Sequence, residues 1–113
     1  MDTRPGRLIF MGMSNGGAFA ATMAVRHPGF AAAVVALSPA GASIRTLASR
    51  PESRFYIMAG TLEPPVLRGA RRSAETLRAA GIDVTFAERV TAHEELAWED
   101  EFPIVIEWLR RKR

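Results

Sequence analysis

The chain has 113 residues, 48% of them hydrophobic and 24% charged, which is enough apolar content for one folded domain and excludes a disordered chain. It has no cysteine, which excludes disulfides, a thiol nucleophile and Cys-ligated metal, and no apolar run suits a membrane span or signal peptide. The net charge is +3, but the basic residues are scattered without interleaved aromatics, so binding to nucleic acid is not expected. Together these features predict a cytoplasmic protein without a bound metal.

The first half of the chain predicts three buried strands and one helix. Residues 8–11 form a short apolar run that stops at a glycine, as expected of a strand buried on both faces. Residues 16–27 are rich in Ala and Met and end before a Pro-Gly pair, which predicts a helix. Two further apolar runs, 31–37 and 55–59, predict strands, and the segment 40–54 predicts a loop with room for one helical turn.

The second half predicts two helices on either side of one strand. Apolar residues recur at helical spacing within residues 67–77, and Gly81 follows as the expected C-terminal cap. A strand at the edge of a sheet is predicted from residue 82 onward, where Ile82, Val84 and Phe86 alternate with Asp83, Thr85 and Ala87. A last helix follows, with Pro103 expected in its first turn. Its apolar residues are Val105, Trp108 and Leu109.

Strands that alternate with helices in this way predict an α/β fold. The expected architecture is a mostly parallel sheet of about four strands with helices on both faces, in three layers. In open sheets of this kind, the chemistry gathers at the carboxyl ends of the strands. The candidate functional residues are therefore the polar residues that directly follow each predicted strand.

The first strand is followed by GMSNGG at residues 12–17, a G-x-S-x-G motif placed between a strand and a helix. In that context the turn is sharp and exposes the hydroxyl of Ser14 as a candidate nucleophile. Gly12 and Gly16 avoid side chains that would collide across the turn, and Gly17 lets the helix pack close to the sheet. The backbone N–H of Asn15, at the helix N-terminus, is the candidate oxyanion donor.

Two other interpretations of this glycine-rich turn stay open. The turn could be a strand–helix connection that packs closely and has no chemistry. It could also bind phosphate in a nucleotide-binding α/β module, although G-x-G-x-x-G would require glycine at position 14 and no Gly-Lys pair follows for a P-loop. The nucleophile interpretation is preferred because the motif stands where a strand gives way to a helix.

The third strand is followed by Glu63, a candidate acid that would orient a catalytic histidine and stabilise its charged form. The two prolines after it are expected to stiffen the loop that holds it. Glu88 and Asp83 are rival acids, but both lie within the predicted fourth strand rather than beyond its end. A loop carboxylate exposed to solvent is the alternative interpretation of Glu63.

The fourth strand is followed by His93, the candidate general base. The other histidine, His27, precedes a proline at a helix end and is expected to be a capping or surface residue. A solvent-exposed loop histidine is the alternative interpretation of His93. Ser14, Glu63 and His93 follow three different strands, in the chain order of an α/β-hydrolase triad.

On these motifs the sequence resembles the α/β-hydrolase superfamily, and within it the esterase group that includes enterochelin-type and feruloyl-type esterases. Residues 12–41, 56–64 and 77–98 carry the resemblance, and the GMSNGG elbow is also similar to that of polyhydroxybutyrate depolymerase-like esterases. The resemblance implies a serine esterase that hydrolyses a small-molecule ester through an acyl-enzyme, without a cofactor. Serine peptidases and thioesterases use the same triad and are the alternatives among enzymes.

By this resemblance Ser14 is the nucleophile, Glu63 is the acid in a G-T-x-[DE] loop, and His93 is the base. Two positions depart from the pattern. Many members carry Asp at the acid position, one methylene shorter than Glu63. The loop before the histidine is often Gly-rich, whereas here it is Thr91-Ala92.

Hydrolases of this superfamily normally begin with further strands and an HGG-type loop that supplies a second oxyanion N–H. This sequence has neither, and residues 1–7 resemble a linker, so residues 1–113 are expected to be one partial domain, the C-terminal half of the fold. The nucleophile strand then becomes an exposed apolar edge, which predicts self-association through residues 8–11. A non-catalytic remnant or interaction module of the same fold is the alternative to an enzyme.

Overall fold

In the computed structural model, which describes residues 8–111, four strands alternate with three helices. The expected linker at residues 1–7 lies outside the described residues. The elements in chain order are β1 (Leu8–Met13), α1 (Asn15–Arg26), β2 (Ala31–Leu37), β3 (Arg54–Gly60), α2 (Pro64–Ala79), β4 (Val84–Arg89) and α3 (Glu95–Arg111).

The four strands form one parallel sheet in the order β1-β2-β3-β4. Helices α1 and α2 pack on one face of this sheet, and α3 packs on the other. The predicted three-layer α/β fold is therefore confirmed, and so is the edge position of the fourth strand. Because all strands run in the same direction, their carboxyl ends lie along the same end of the sheet, where the loops that follow them lie side by side.

The two central strands explain the continuous apolar runs in the sequence. Both faces of β2 and β3 are covered, so their apolar side chains other than Ala32 are buried whichever way they point. On one face Val34, Phe55 and Ile57 pack against the small and aliphatic residues of α1 and α2. On the other face Tyr56 and neighbouring strand residues pack against Trp108 of α3.

Three prolines, Pro64, Pro65 and Pro103, occupy positions other than those predicted. Pro64 and Pro65 begin α2 rather than stiffening a loop, because the first turn of a helix needs no N–H donor. Helix α3 begins at Glu95, so Pro103 lies inside it and not in its first turn. Since proline has no N–H, the carbonyl four residues earlier lacks its helical partner there.

Two further boundaries differ from the sequence-based prediction. Strand β4 begins at Val84, so the buried Ile82 belongs to the turn that closes α2, where its N–H donates to the carbonyl of Leu77 at 3.1 Å.

Between β2 and β3, residues 38–53 are all described and contain no helical turn. That segment is held instead by a hydrogen bond of 2.8 Å from the Ile44 N–H to the buried Ser73 hydroxyl.

Strand β1 lies at the edge of the sheet, and one of its faces is exposed, so the prediction that it is buried on both faces is wrong. Ile9, Met11 and Met13 alternate along it, so they point to one face, and they are 50%, 44% and 38% exposed. Phe19 of α1 is 65% exposed beside a groove of about 450 Å³ that also borders Ile9 and Met11. In the part of the chain that the structure describes, β2 is the strand that pairs with β1, so the other side of β1 combines backbone groups suited to strand pairing with apolar side chains exposed to water.

We propose that this edge makes the 113-residue chain self-associate. The wild-type chain should sediment as a species larger than the monomer at tens of micromolar, because pairing along β1 removes apolar surface from water. The Met11→Lys variant should shift towards the monomer, since an edge charge opposes pairing. Val90→Lys, at a residue 86% exposed beyond β4, is the matched control and should leave the distribution unchanged. A wild-type chain that is a monodisperse monomer would contradict the proposal.

Candidate active site

Three side chains that follow three different strands meet at the end of the sheet where the strands have their carboxyl ends. Ser14 follows β1, Glu63 follows β3 and His93 follows β4. The Nε2 atom of His93 lies 2.8 Å from the Ser14 Oγ, although the two residues are 79 positions apart. Its Nδ1 atom lies 2.6 Å from the Glu63 Oε1. The structure thus brings these three candidate residues into one continuous chain of hydrogen bonds.

The backbone at Ser14 is strained and tightly held. Its φ of 58° and ψ of −128° lie in a region that residues with a side chain rarely adopt, at a typical cost of about 1–3 kcal/mol. The Ser14 N–H donates to the carbonyl of Leu37 at 3.0 Å, and the Ser14 carbonyl accepts from the N–H groups of Gly17 and Ala40, both at 3.0 Å. These bonds to both α1 and the end of β2 hold the conformation in place.

The glycines of the elbow differ in whether the surrounding backbone leaves room for a side chain. A Cβ at Gly12 would lie 2.2 Å from the Gly16 carbonyl oxygen, and one at Gly17 would lie 3.1 Å from the Gly12 oxygen and 3.3 Å from that of Leu37. A Cβ at Gly16 would meet nothing within 4 Å. The prediction that a side chain at Gly16 would collide is therefore wrong, because its Cβ direction opens away from the turn.

Asn15 is the first residue of α1, directly after Ser14. The first N–H groups of a helix lack intrahelical partners, and the helix dipole makes this end favourable for negative charge. The backbone N–H of Asn15 is thereby suited to donate to an oxyanion that forms beside the Ser14 hydroxyl. The Asn15 side chain is exposed to solvent.

Glu63 is a buried carboxylate, with 6% of its surface exposed. Besides the contact with His93, its Oε2 accepts hydrogen bonds from the Gly60 N–H at 2.7 Å and from the Ser38 hydroxyl at 2.8 Å. Because a carboxylate only accepts hydrogen bonds, the His93 Nδ1 donates to it and Nε2 is left to accept from Ser14. The carboxylate thus fixes both the orientation and the tautomer of the imidazole.

The rival acids lie elsewhere. Glu88 is on β4, but its side chain binds the Arg71 guanidinium through contacts of 2.7 and 2.9 Å, and that bond lowers the pKa of the Glu88 carboxyl. Asp83 precedes β4 instead of lying within it, and its carbonyl accepts from the Phe55 N–H at the amino end of the sheet. Neither residue follows the carboxyl end of a strand.

His27 is the C-cap residue of α1 and is exposed, in contact with the ring of Phe30. The 12 residues of α1 separate it from Ser14 at the other end of the helix, a distance of about 18 Å.

Ser38 and Trp98 belong to the site but were missed by sequence reasoning. The buried Ser38 directly follows β2 and reaches Glu63, and the Trp98 indole N–H donates to the Ser38 hydroxyl at 2.9 Å. The Trp98 ring also stands edge-to-face on the His93 ring, with centroids 5.2 Å apart. The signal that could have found Ser38 was its position, because it is a polar residue directly after the carboxyl end of a strand.

The loops that hold the acid and the base pack against each other through backbone. A Cβ at Gly60 would lie 2.1 Å from the Thr91 carbonyl oxygen, so only glycine fits at the end of β3. The Leu62 N–H donates to the same Thr91 oxygen at 3.0 Å, and the Thr61 N–H donates to the Arg89 carbonyl at 2.8 Å. The spacing between Glu63 and His93 is therefore set by main-chain contacts.

An ion pair joins the two elements that flank the loop of His93. The Arg89 guanidinium at the end of β4 binds Glu101 of α3 through contacts of 3.0 and 2.9 Å, and this bond raises the pKa of Arg89. Glu101 is buried and also accepts from the hydroxyl of Tyr56. Burial, and then the bond to Glu101, raise the pKa of Tyr56 above its usual range. The loop is thus fixed at both ends.

Residues 8–111 contain neither a cluster of metal ligands nor a helix suited to a membrane. Within residues 8–111, no three His, Asp or Glu side chains come together as metal ligands. No helix among these residues has the length and apolar character needed to cross a bilayer.

The chain is similar to known proteins in its three-dimensional structure. No protein-family model and no curated protein sequence matches the chain. Among solved structures, it is similar to an enterochelin esterase from Shigella flexneri, with a TM-score of 0.76 and 18% identity over 92% of this chain. It is also similar to a ferulic acid esterase, with a TM-score of 0.79 and 17% identity over 96%, and to esterase PE8, with a TM-score of 0.70 and 22% identity over 91%.

These likenesses define the class of fold. The described residues share the fold of the part of each esterase that they cover, which confirms the α/β fold predicted from the sequence. With identities of 17–22%, the likeness concerns the fold alone. The chain spans 30% of the length of the enterochelin esterase, 53% of the ferulic acid esterase and 51% of esterase PE8.

Proposed function

We propose that this chain carries the nucleophile, acid and base of a serine ester hydrolase. The observation that supports this most is the hydrogen-bond chain from Ser14 through His93 to Glu63, with contacts of 2.8 and 2.6 Å. The strained backbone of Ser14 and the helix N-terminus behind it add support, because together they describe a nucleophile elbow. A turn that served only for packing would not require a histidine beside the hydroxyl.

In the proposed reaction the Ser14 Oγ attacks the carbonyl carbon of an ester, and Nε2 of His93 takes the hydroxyl proton. The negative charge that forms on the carbonyl oxygen is stabilised by the N–H of Asn15, and Glu63 stabilises the imidazolium. Collapse of this intermediate breaks the bond to the alcohol oxygen, which leaves with the proton from His93. Water, deprotonated by His93, then attacks the carbonyl carbon of the acyl-enzyme. The bond to the Ser14 Oγ breaks, His93 returns the proton to that oxygen, and the carboxylic acid leaves.

The assignment to esters, rather than peptides or thioesters, draws on the three structural neighbours, all of which bear esterase names. A small-molecule ester is the proposed substrate. The single observation on the site itself, the hydrogen-bonded triad, is common to all three reaction types.

Covalent labelling with a fluorophosphonate tests the proposal directly, because this probe requires an activated serine but no particular ester. We expect a phosphonyl adduct on Ser14, located by peptide mass mapping, and no adduct in Ser14→Ala. Ser43→Ala, which changes a half-buried serine in the loop between β2 and β3, is the matched control and should label like wild type. A folded wild-type chain that is not labelled at Ser14 would overturn the proposal and favour a non-catalytic module of this fold.

A further inference from the structure

We infer that Ser38 and Trp98 act together as positioning residues, holding Glu63 and His93 in the geometry that activates Ser14. The inference rests on the proposed function and extends it to two side chains that touch the triad without being part of it. Ser38 contacts the acid, whereas Trp98 contacts both Ser38 and the base. The pair therefore bridges two loops that come from different strands.

Ser38 is placed for this role by its backbone. It is fully buried and has a φ of 49°, in the left-handed region that favours glycine. Its N–H donates to the Met58 carbonyl at 2.7 Å, which ties the end of β2 to β3. A serine in this strained and buried position is unexpected unless its hydroxyl has a specific partner, and that partner is Glu63 at 2.8 Å.

Trp98 determines the direction of the hydroxyl proton. A serine hydroxyl has one proton and can also accept hydrogen bonds, whereas an indole N–H only donates. Because the Trp98 N–H points at the Ser38 Oγ at 2.9 Å, that oxygen acts as the acceptor towards Trp98 and donates its own proton to Glu63. Hydrogen bonds connected in one direction strengthen each other in a low-dielectric interior.

The same indole restrains the base. Its ring meets the His93 ring at an interplanar angle of 84° with centroids 5.2 Å apart, a favourable edge-to-face arrangement. Trp98 lies in the first turn of α3, a few residues after His93, so the helix start places it against the loop. One side chain thus limits both the rotation of the imidazole and the movement of the carboxylate.

The end of β2 also holds the nucleophile. The Leu37 carbonyl accepts from the Ser14 N–H and the Ala40 N–H donates to the Ser14 carbonyl, both at 3.0 Å. Residues 37–40 therefore contact Ser14 through backbone on either side of Ser38, whose side chain contacts Glu63. The relative positions of nucleophile and acid are fixed through this short segment.

The variants Ser38→Gly and Trp98→Phe test the inference. Glycine removes the hydroxyl and adopts a φ of 49° without strain, so Ser38→Gly should fold. Phenylalanine keeps a ring against His93 but has no N–H donor. Each variant should lower kcat for an activated phenyl ester by roughly 10- to 100-fold with KM nearly unchanged, because the reacting groups are misplaced while the substrate site is not. The labelling rate at Ser14 should fall in parallel.

The double variant and two controls separate positioning from general destabilisation. Ser38→Gly combined with Trp98→Phe should be no slower than Ser38→Gly alone, since Trp98 acts on Glu63 through Ser38. Ser53→Ala removes another buried serine hydroxyl, bonded to the Ala31 carbonyl, and Trp108→Phe removes another indole donor, bonded to Thr85. Both controls should keep wild-type kcat. Equal losses in the controls and in the variants would overturn the inference.

A second readout does not depend on turnover. The ¹⁵N chemical shifts of the His93 ring nitrogens, detected through its carbon-bound protons, report the tautomer. Ser38→Gly should reduce the population with the proton on Nδ1, because the acceptor Glu63 is less well held. Unchanged His93 shifts would overturn the inference even in a chain that hydrolyses esters. Failure of the proposed function would appear separately, as a wild-type chain without labelling at Ser14.

Discussion

The His93→Ala variant should lose ester hydrolysis by a factor on the order of 10⁴ or more, the loss typical of removing the base from a serine triad. The Nε2 atom of His93 is the group within 2.8 Å of the Ser14 Oγ, and without it the hydroxyl proton has no acceptor in the described site. The measurement is kcat/KM for an activated phenyl ester, together with the fluorophosphonate labelling rate. Both should fall while the circular dichroism spectrum stays that of the folded chain.

The other histidine supplies the matched control for this experiment. His27 is exposed at the far end of α1, so His27→Ala should retain wild-type kcat/KM within about twofold, as for most surface changes. If His93→Ala and His27→Ala hydrolyse the ester at the same rate as wild type, the activity does not come from the proposed triad.

The Gly12→Ala variant should unfold the elbow or the whole chain. Its Cβ would lie 2.2 Å from the carbonyl oxygen of Gly16 and 2.8 Å from the backbone nitrogen of Gly17. These are main-chain atoms that cannot move aside as a flexible side chain would, so the expected loss is about 3 kcal/mol or more of the free energy of unfolding. For a chain of this size the melting temperature should fall by more than about 10 °C.

Gly16→Ala is the control from the same motif, with the opposite expected sign. The added methyl group meets no atom within 4 Å, and Gly16 lies in α1 without a positive φ. Alanine favours helix over glycine, so the variant should be as stable as wild type or gain up to about 0.5 kcal/mol. Thermal unfolding and labelling at Ser14 measure both variants. Equal stability of Gly12→Ala and Gly16→Ala would contradict the described elbow.

The parts of the fold that were predictable are those where one local pattern has one physical cause. The runs at β2 and β3 are apolar throughout because both faces of these strands are covered, and Gly81 ends α2 because its φ of +81° suits glycine. Proline positions were less informative. Pro103 is compatible with a first turn and with a helix interior that lacks one hydrogen bond, and only packing of α3 on the sheet decides between them.

The meeting of the three candidate side chains was predictable because it depends on their position along the chain. Ser14, Glu63 and His93 each follow a strand, and parallel strands bring such residues to one edge. The role of Trp98 depends on where α3 begins and how it turns towards Ser38, which no local pattern encodes. Gly16 was misjudged for a related reason, because the motif does not say which of its glycines faces the neighbouring backbone.

The position of β1 has a consequence for how often the site is intact. Within residues 8–111, β1 lies at one end of the strand order and pairs with β2 alone, and Ser14 follows this strand directly. Outermost strands open locally at a lower free energy than central ones, well before the molecule unfolds as a whole. We therefore expect fraying of β1 to lower the fraction of molecules in which Ser14 faces His93, and a polypeptide segment paired along that strand to raise this fraction.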